Sequence, residues 1–281
     1  MRIVVTGAGG MLAADLTPEL ERRGHEVRAL TRAEMDVTDA AAARRVLVDS
    51  RPDAVIQCAA YTAVDDAEAD EAGAFRVNAD ATRNVASACH EIGALFVYPS
   101  TDYVFAGGAG RPYRPEDTTA PLNAYGRSKR AGEEAARAAR RALVVRTSWL
   151  YGAGGRNFVD MMLQLARERD RIEVVDDQVG RPTWTGSLAR ALAELTERGA
   201  EGVLHVTDAG EPVSWCGFAR EILAGAFATV DVVAVPSSRF PRPAARPRYS
   251  VLDCSTAERV LGRALPPWRE SLARYLGRGD A

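Results

Sequence analysis

The stretch Ile3-Val4-Val5-Thr6-Gly7-Ala8-Gly9-Gly10-Met11-Leu12-Ala13 decides the fold, because it joins a strand-like apolar run to a glycine-rich turn and a helix start. Gly7, Gly10 and Ala13 form a GxxGxxA pattern. This spacing permits a tight turn, close approach of a pyrophosphate to the backbone, and close packing of the helix on the sheet. The first N–H groups of the helix then face the phosphates. A glycine-rich turn alone can be only a turn, but its position between a strand and a helix predicts dinucleotide binding.

Outward from this stretch, strand-like runs alternate with helical patterns through the first half of the chain. The alternation predicts an α/β fold with a Rossmann-type doubly wound parallel sheet, forming an NAD(P)-binding domain at 1–150. After residue 150 the regular alternation of strands and helices ends, and a smaller α/β substrate-binding C-terminal domain is predicted for 151–183 and 208–281. A helix and a strand within 184–207 can return to the sheet, which would make the first domain discontinuous.

The composition is that of an ordinary globular protein, with 47% hydrophobic and 26% charged residues in a chain of 281. The formal net charge of −2 gives no broad attraction to nucleic acid or to an anionic membrane, so neither is a predicted partner. We find no apolar stretch long enough to span a bilayer and no signal-peptide pattern. The four cysteines are widely spaced, which favours buried thiols in a reducing compartment. A cytoplasmic location is therefore expected.

The residues after the second predicted strand, 26–30, bear on which dinucleotide binds. An NAD-binding unit has an acidic residue here for the ribose 2′-OH, whereas this chain has Arg32, which suits a 2′-phosphate. Arg32 could also be a solvated loop residue, and Glu34 and Asp36 lie close to it. NADPH is therefore the predicted cofactor, and NADH is left open. The predicted cofactor contacts are Gly7, Gly10, Met11, Leu12, Arg32, Asp36, Val37, Ala59, Ala60, Tyr61, Tyr125 and Lys129.

Tyr125 and Lys129 lie about one turn apart in a helix that the sequence predicts over 125–141, with Asn123 as its N-cap. A tyrosine titrates near ~10, and a cationic lysine beside it is expected to lower its pKa. Such a tyrosine can donate a proton to a carbonyl. Many solvated helix faces carry the same spacing, so the pair alone is weak evidence. Thr101 strengthens it, because it follows a predicted strand and would reach the same edge of the sheet.

Several motifs together resemble a known family. The stretches that resemble the extended short-chain dehydrogenase/reductases are Gly7-x-x-Gly10-x-x-Ala13, Ser100-Thr101-Asp102-Tyr103-Val104-Phe105 and Tyr125-Gly126-Arg127-Ser128-Lys129. Those that resemble, more narrowly, the dTDP-4-dehydrorhamnose reductase family are Cys58-Ala59-Ala60-Tyr61-Thr62-x-Val64-Asp65-x-Ala67-Glu68, Arg146-Thr147-Ser148-Trp149-Leu150-Tyr151-Gly152 and Asp177-Gln178-x-Gly180-x-Pro182-Thr183. The motifs occur in the right order over nearly the whole chain, and their joint match is specific.

The resemblance implies an oxidoreductase that reduces the C4 ketone of a dTDP-4-dehydro-6-deoxy-L-hexose to dTDP-L-rhamnose or a close dTDP-deoxysugar. Tyr125 would deliver a proton to the C4 oxygen, and Thr101 would hydrogen-bond the same oxygen. Lys129 would bind the nicotinamide ribose and lower the pKa of Tyr125. The implied substrate contacts are Val64, Asp102, Tyr103 and Trp149. Trp149 is equally compatible with a core position at the domain boundary.

Some members of this family dimerise through Mg²⁺ held by acidic side chains of the first helix and of the helix after the Pro-Thr motif. Asp15 could supply the first ligand here, but residues 184–190 contain no carboxylate. A hard cation needs oxygen ligands, so no metal is expected and a homodimer is left open.

Other functions are compatible with the same motifs. One is a reductase of an antibiotic-type dTDP-4-keto-deoxysugar, with different product stereochemistry. Another is a non-catalytic NADP-binding regulatory subunit similar to that of methionine adenosyltransferase, because a fold can keep these residues without turnover. An epimerase or dehydratase is disfavoured, because Thr101 is followed by Asp102-Tyr103 rather than by paired carboxylates.

Overall fold

The computed structural model describes residues 1–226 and 228–277. The strands are β1 (Arg2–Thr6), β2 (Glu26–Leu30), β3 (Ala54–Gln57), β4 (Leu95–Thr101), β5 (Arg141–Thr147), β6 (Leu150–Tyr151), β7 (Arg171–Val175), β8 (Val179–Gly180), β9 (Thr183–Trp184), β10 (Gly202–His205), β11 (Val213–Ser214) and β12 (Asp231–Val235). The helices are α1 (Met11–Arg22), α2 (Ala40–Ser50), α3 (Asp66–Ala69), α4 (Glu71–Phe75), α5 (Ala81–Ile92), α6 (Ala124–Ala136), α7 (Phe158–Glu168), α8 (Thr185–Glu197), α9 (Trp215–Gly225), α10 (Ser255–Leu261) and α11 (Trp268–Gly277). A π-helical segment, Arg76–Asp80, joins α4 to α5.

The main sheet of the described residues has six strands in the order β10-β5-β4-β3-β1-β2. All neighbouring strands in it are parallel, and β1 lies between β2 and β3, with Ile3 opposite both Val27 and Ala54. The chain first moves from β1 to β2 on one side and then returns to β3 on the other. This reversal opens a crevice at the carboxyl ends of β1 and β3, where ligands bind in open α/β sheets.

The two faces of the sheet carry separate cores. Side chains of β1 alternate, so Ile3 and Val5 enter one core and Val4 enters the other. The first core lies under α1, α8 and α10, and the second lies under α2 and α5. Helices on both faces make this a doubly wound sheet, which confirms the predicted fold class.

The second half of the chain adds small ladders and a third core. Among the described residues, β7 pairs in parallel with β12, β6 with β9, and β8 antiparallel with β11. Phe218 and Trp268 lie in the third core, which α7, α9 and α11 surround. The division into two domains stays a prediction, and residues 278–281 of its second part lie outside the described chain.

Two predicted elements differ from the structure. Helix α6 ends at Ala136 rather than at 141, because residues 137–140 turn the chain into β5. Residues 36–39, whose pattern predicts a short strand, form a turn instead. In it Asp36 Oδ1 accepts from the Thr38 N–H (2.9 Å) and hydroxyl (2.7 Å). An Asp side chain bonded to the backbone two residues on favours a turn over a strand. No helix within 1–226 and 228–277 is long and apolar enough to cross a membrane.

Candidate active site

The glycine turn packs directly on the end of β3. Gly7 has φ +70°, and a Cβ there would lie 2.5 Å from the Ala59 backbone nitrogen, so only glycine fits. The Gly10 N–H donates to the Gly7 carbonyl at 2.9 Å, which closes the turn before Met11 starts α1. Gly10 has no side chain to cap α1, so the first-turn N–H groups remain available for an anion. This cradle, with Met11 and Leu12 in the first helical turn, fits the diphosphate of a dinucleotide.

The predicted ribose contacts meet at the end of β2. The Arg32 side chain is 86% exposed, and its Nε lies 3.2 Å from Asp36 Oδ2. Hydrogen bonds from Thr38, and then the Arg32 guanidinium, lower the pKa of Asp36. The exposed guanidinium of Arg32 can therefore also reach a phosphate, while the Asp36 carboxylate beside it can accept from a ribose hydroxyl. Val37, the neighbouring predicted contact, is buried in the core under α2.

Asn78 fixes the segment that ends β3, a role that the sequence pattern did not indicate. Its Oδ1 accepts from the Tyr61 N–H at 2.9 Å, and its Nδ2 donates to the Tyr61 carbonyl at 3.0 Å. Asn78 is 1% exposed and also donates to Ser128 on α6 at 2.9 Å. Ala59 and Ala60 are thereby held opposite the glycine turn. A buried amide needs hydrogen-bond partners, but the burial of Asn78 is not visible in the sequence.

Tyr125 lies in the first turn of α6. The predicted N-cap is confirmed, because Asn123 Oδ1 accepts from the Gly126 N–H at 2.7 Å. The Tyr103 ring meets the Tyr125 ring edge-on, with centroids 6.0 Å apart. Burial raises the pKa of Tyr125 to about 12; the neighbouring Thr101 hydroxyl opposes this rise and the Asp102 carboxyl adds to it. Thr101 and Tyr125 therefore lie together, as the sequence predicts.

Lys129 does not act on Tyr125 as the sequence predicts. Its Nζ donates to the Pro99 carbonyl at 2.7 Å and lies 4.0 Å from the centroid of the Tyr98 ring. Burial lowers the pKa of Lys129 to about 7, while Glu133 and Cys58 raise it. Burial therefore dominates the pKa of both side chains. The expected lowering of the Tyr125 pKa is therefore wrong in direction.

A buried ion pair between Arg146 and Glu133 links the elements that carry Thr101 and Tyr125. Arg146 Nε and Nη2 donate to the two Glu133 carboxylate oxygens at 2.9 and 2.7 Å, and the two side chains are 5% and 9% exposed. Ser100 donates to Glu133 at 2.6 Å. Arg146 Nη1 also donates to the Pro115 carbonyl at 3.1 Å. The pair therefore connects α6, β4, β5 and the loop before α6.

Asp102 is a buried carboxyl at the end of β4. It is 2% exposed, and its Oδ1 accepts from the Thr101 hydroxyl at 3.1 Å. Among the described residues its Oδ2 has no hydrogen-bond partner, although the Ser250 hydroxyl lies close enough to the carboxyl to lower its pKa. Burial raises the pKa of Asp102 to about 7, against the opposing effect of the Ser250 and Thr101 hydroxyls.

A cavity of about 890 Å³ lies beside this group, with Tyr103 in its wall. One part of the lining is apolar and includes Phe158, Met161, Met162, Leu165, Ile172, Val174, Trp215 and Phe240. The arginines of the lining are Arg169, Arg171, Arg239, Arg242 and Arg246. Arg246 is held by two hydrogen bonds to Asp65, at 2.9 and 2.8 Å. The lining of the cavity comes from separated chain segments with no shared motif, so the cavity could not be predicted from the sequence.

Trp149 contacts a second tryptophan, Trp215, which lines this cavity. Its ring stacks on that of Trp215, with centroids 3.5 Å apart and planes 5° from parallel. A Cβ at Gly180 would lie 2.6 Å from the Trp149 ring. Trp149 has φ +49°, a conformation that is costly for a bulky residue and that recurs at binding sites. Trp215 lines the cavity, and Trp149 supports it from the edge of the third core.

Asp15 is engaged within the chain. Its Oδ2 accepts from the Thr185 hydroxyl at 2.5 Å, which joins α1 to the start of α8. No group of three or more His, Cys, Asp or Glu side chains with metal-site geometry occurs in the described part of the chain.

The parallel sheet, its glycine turn and the Tyr125–Lys129 helix at its carboxyl edge define a member of the extended short-chain dehydrogenase/reductases. The family model of the RmlD substrate binding domain matches residues 1–280. The dTDP-4-dehydrorhamnose reductase of Streptomyces griseus is 46% identical over 280 residues, covering 96% of this chain and 91% of that protein. This chain belongs to the dTDP-4-dehydrorhamnose reductase family.

Solved structures agree with this membership. The crystal structure of a dTDP-4-dehydrorhamnose reductase from Clostridium acetobutylicum superposes with a TM-score of 0.97 at 38% identity, over 100% of both chains. That of the Bacillus anthracis dTDP-4-dehydrorhamnose reductase in complex with NADP gives 0.95 at 38% identity, over 99% of both chains.

Proposed function

We propose that this chain is an NADPH-dependent reductase that converts dTDP-4-dehydrorhamnose to dTDP-L-rhamnose. The observation that carries the proposal is the position of Tyr125. Its phenol lies beside the Thr101 hydroxyl at the carboxyl edge of the sheet, and Tyr103 joins it to the large cavity. Family membership supports the same reaction class and the same cofactor.

The residues of the chain divide the work as follows. NADPH, when bound, supplies the hydride that reduces C4. Gly7, Gly10 and the first turn of α1 would hold its diphosphate, and Arg32 its 2′-phosphate. Tyr125 donates a proton to the C4 oxygen, and the Thr101 hydroxyl hydrogen-bonds the same oxygen, so that charge on it is neutralised as it develops.

The cavity suits a nucleotide sugar. Its volume of about 890 Å³ lies in the range of small-molecule sites, roughly 300–1,000 Å³. The apolar wall, with Phe158 and Trp215, suits a thymine ring, and the arginines suit a diphosphate, which guanidinium groups bind in a bidentate manner. Tyr103, Asp102 and Val64 would then contact the sugar, as the resemblance implies.

The test follows NADPH absorbance with dTDP-4-dehydrorhamnose as substrate. Wild-type protein should oxidise NADPH, and Tyr125→Phe should lower kcat by about 10²–10⁴-fold while still binding NADPH, because it removes only the proton donor. Tyr249→Phe, outside this group, is the matched control. Absence of NADPH oxidation by the wild-type protein contradicts the proposal and favours a non-catalytic NADP-binding subunit. Turnover only with a differently configured dTDP-4-keto-deoxysugar selects the antibiotic-type reductase.

Two further points are part of the proposal. We place the protein in the cytoplasm, a location that suits the four free thiols, Cys58, Cys89, Cys216 and Cys254. Homodimerisation is an open prediction, and light scattering on the purified protein, with and without Mg²⁺, tests it.

A further inference from the structure

Arg246 differs in burial from two other arginines of the cavity lining. Its side chain is 19% exposed, whereas those of Arg239 and Arg242 are each 63% exposed. An exposed arginine must be ordered when it binds an anion, and the cost of that ordering lowers the affinity. The guanidinium of Arg246 is already held within the fold, and the side chain that holds it is that of Asp65.

We propose that Asp65 is a positioning residue, which holds the Arg246 guanidinium at the cavity so that its remaining N–H groups meet the diphosphate of a nucleotide sugar. This role rests on the proposed function and extends it to a residue that acts on the substrate through another side chain.

The contact between the two side chains fixes the direction and the plane of the guanidinium. Arg246 Nη1 donates to Asp65 Oδ1 at 2.9 Å, and Nη2 donates to Oδ2 at 2.8 Å. Such a paired contact is geometrically specific. Nη1 also donates to the Ala244 carbonyl at 2.7 Å. A guanidinium has five N–H groups, so these three hydrogen bonds leave two for other acceptors.

The backbone on either side of this contact is fixed as well. The Ala244 N–H donates to Asp65 Oδ1 at 3.3 Å. Asn123, the N-cap of α6, donates from its Nδ2 to the Ala245 carbonyl at 2.7 Å. The freedom that remains to Arg246 is therefore mainly that of its side chain, and Asp65 removes it.

Asp65 also ties Arg246 to the segment that follows β3. Four residues before Asp65, the N–H and the carbonyl of Tyr61 are both hydrogen-bonded to the buried Asn78. This segment carries the predicted NADPH contacts Ala59, Ala60 and Tyr61. The position of the cavity arginine is thereby set relative to the cofactor side of the crevice.

The local charges give a test of direction. Arg242 Nη1 lies 3.8 Å from Asp65 Oδ2, so one carboxylate faces two guanidinium groups. Hydrogen bonds from Arg246 lower the pKa of Asp65, which keeps the carboxylate charged at neutral pH. If Asp65 only neutralised these cations, removal of its charge would strengthen the attraction for a diphosphate. If Asp65 positions Arg246, the same change weakens binding.

The experiment measures dTDP binding by calorimetry and NADPH binding by fluorescence. Asp65→Asn should weaken dTDP binding by about 3–10-fold, because the released guanidinium must be ordered again on binding. Arg246→Met should weaken it by about 10–100-fold, through loss of a charge-assisted hydrogen bond. The double variant should bind dTDP no more weakly than Arg246→Met. Asp66→Asn, which removes a charge from the adjacent exposed residue, is the matched control and should bind like wild type.

NADPH affinity separates positioning from a general disturbance of the segment after β3. It should stay near wild type in Asp65→Asn, and a loss equal to that for dTDP overturns the proposal. Unchanged or tighter dTDP binding in Asp65→Asn also overturns it, as do losses that multiply in the double variant. In turnover assays Asp65→Asn should raise KM for dTDP-4-dehydrorhamnose more than it lowers kcat. Absence of dTDP binding by the wild-type protein contradicts the proposed function itself, whereas dTDP binding that is indifferent to Asp65 contradicts only the positioning role.

Discussion

The buried ion pair between Arg146 and Glu133 gives the sharpest prediction for stability. Arg146→Met removes the two guanidinium hydrogen bonds to Glu133, together with the one to the Pro115 carbonyl, and leaves the Glu133 carboxylate, at 9% exposure, with the Ser100 hydroxyl as its remaining hydrogen-bond partner. Breaking a buried pair from one side costs about 3–5 kcal/mol, because the remaining charge is uncompensated. Each 1.4 kcal/mol is tenfold, so the unfolding equilibrium should shift by roughly two to three and a half powers of ten.

The assay is equilibrium unfolding in urea, followed by tryptophan fluorescence. Arg141→Met is the matched control: Arg141 pairs with Glu201 at 2.8 Å, but the two side chains are 42% and 47% exposed. An exposed pair contributes about 0–1 kcal/mol, so this variant should remain close to wild type.

A double-mutant cycle isolates the cause. If the uncompensated charge produces the loss, adding Glu133→Leu to Arg146→Met should recover most of the stability, because apolar replacement of a buried pair is often neutral. The Ser100 hydroxyl loses its hydrogen-bond partner in Glu133→Leu and in the double variant, and this loss limits the recovered stability by about 1 kcal/mol. The reasoning is refuted if Arg146→Met costs no more than Arg141→Met, or if the double variant loses the sum of the two single losses.

Three further predictions follow from single contacts. Burial lowers the pKa of His205 from 6.5 to about 3, so on acidification the unfolded chain binds a proton at this histidine before the folded chain does. The free energy of unfolding, measured by urea titrations, should therefore fall as pH drops from about 6.5 to 3. In His205→Asn it should fall less steeply. Arg32→Ala should lower the ratio of kcat/KM with NADPH to that with NADH by about 10–100-fold, through loss of a charge-assisted hydrogen bond, and an unchanged ratio contradicts the 2′-phosphate assignment. A Cβ at Gly126 would lie 2.3 Å from the Tyr103 carbonyl, so Gly126→Ala should cost about 1–3 kcal/mol and lower kcat, whereas Gly108→Ala, with nothing within 4 Å, should do neither.

The fold could be predicted from the sequence because its signals are local. The run from Ile3 to Ala13 contains a strand, a turn and a helix start within a few residues of one another. The Asn123 side chain caps α6 by accepting a hydrogen bond from the N–H of Gly126, three residues further along the chain. Where local signals conflict, the prediction fails. The alanine pattern of α6 continues to residue 142, but the chain must turn at 137–140 for Arg141 to enter β5.

The site could be predicted only in part, because the sequence shows spacing but not burial. The spacing placed Tyr125, Lys129 and Thr101 at one edge of the sheet, where the structure has them. It could not show that Lys129 is 3% exposed, and burial is what sets its pKa. Asp102 has the same property, since an aspartate beside a strand end is charged unless the fold removes it from water. The cavity was missed because it exists only after distant segments pack together.

Tyr103 connects the group around Tyr125 with the large cavity, two parts of the site whose connection is not visible in the sequence. Its ring contacts Tyr125 edge-on, its backbone N–H fixes the Thr101 hydroxyl, and it lines the cavity with Arg246. Arg246 is in turn held by Asp65, in the segment that follows β3. In the proposed function, Tyr103 would therefore help to position both the nucleotide end of the substrate and its reacting carbonyl. Because α6 packs on the Tyr103 backbone at Gly126, the helix that carries the proposed proton donor also contacts a residue that lines the cavity.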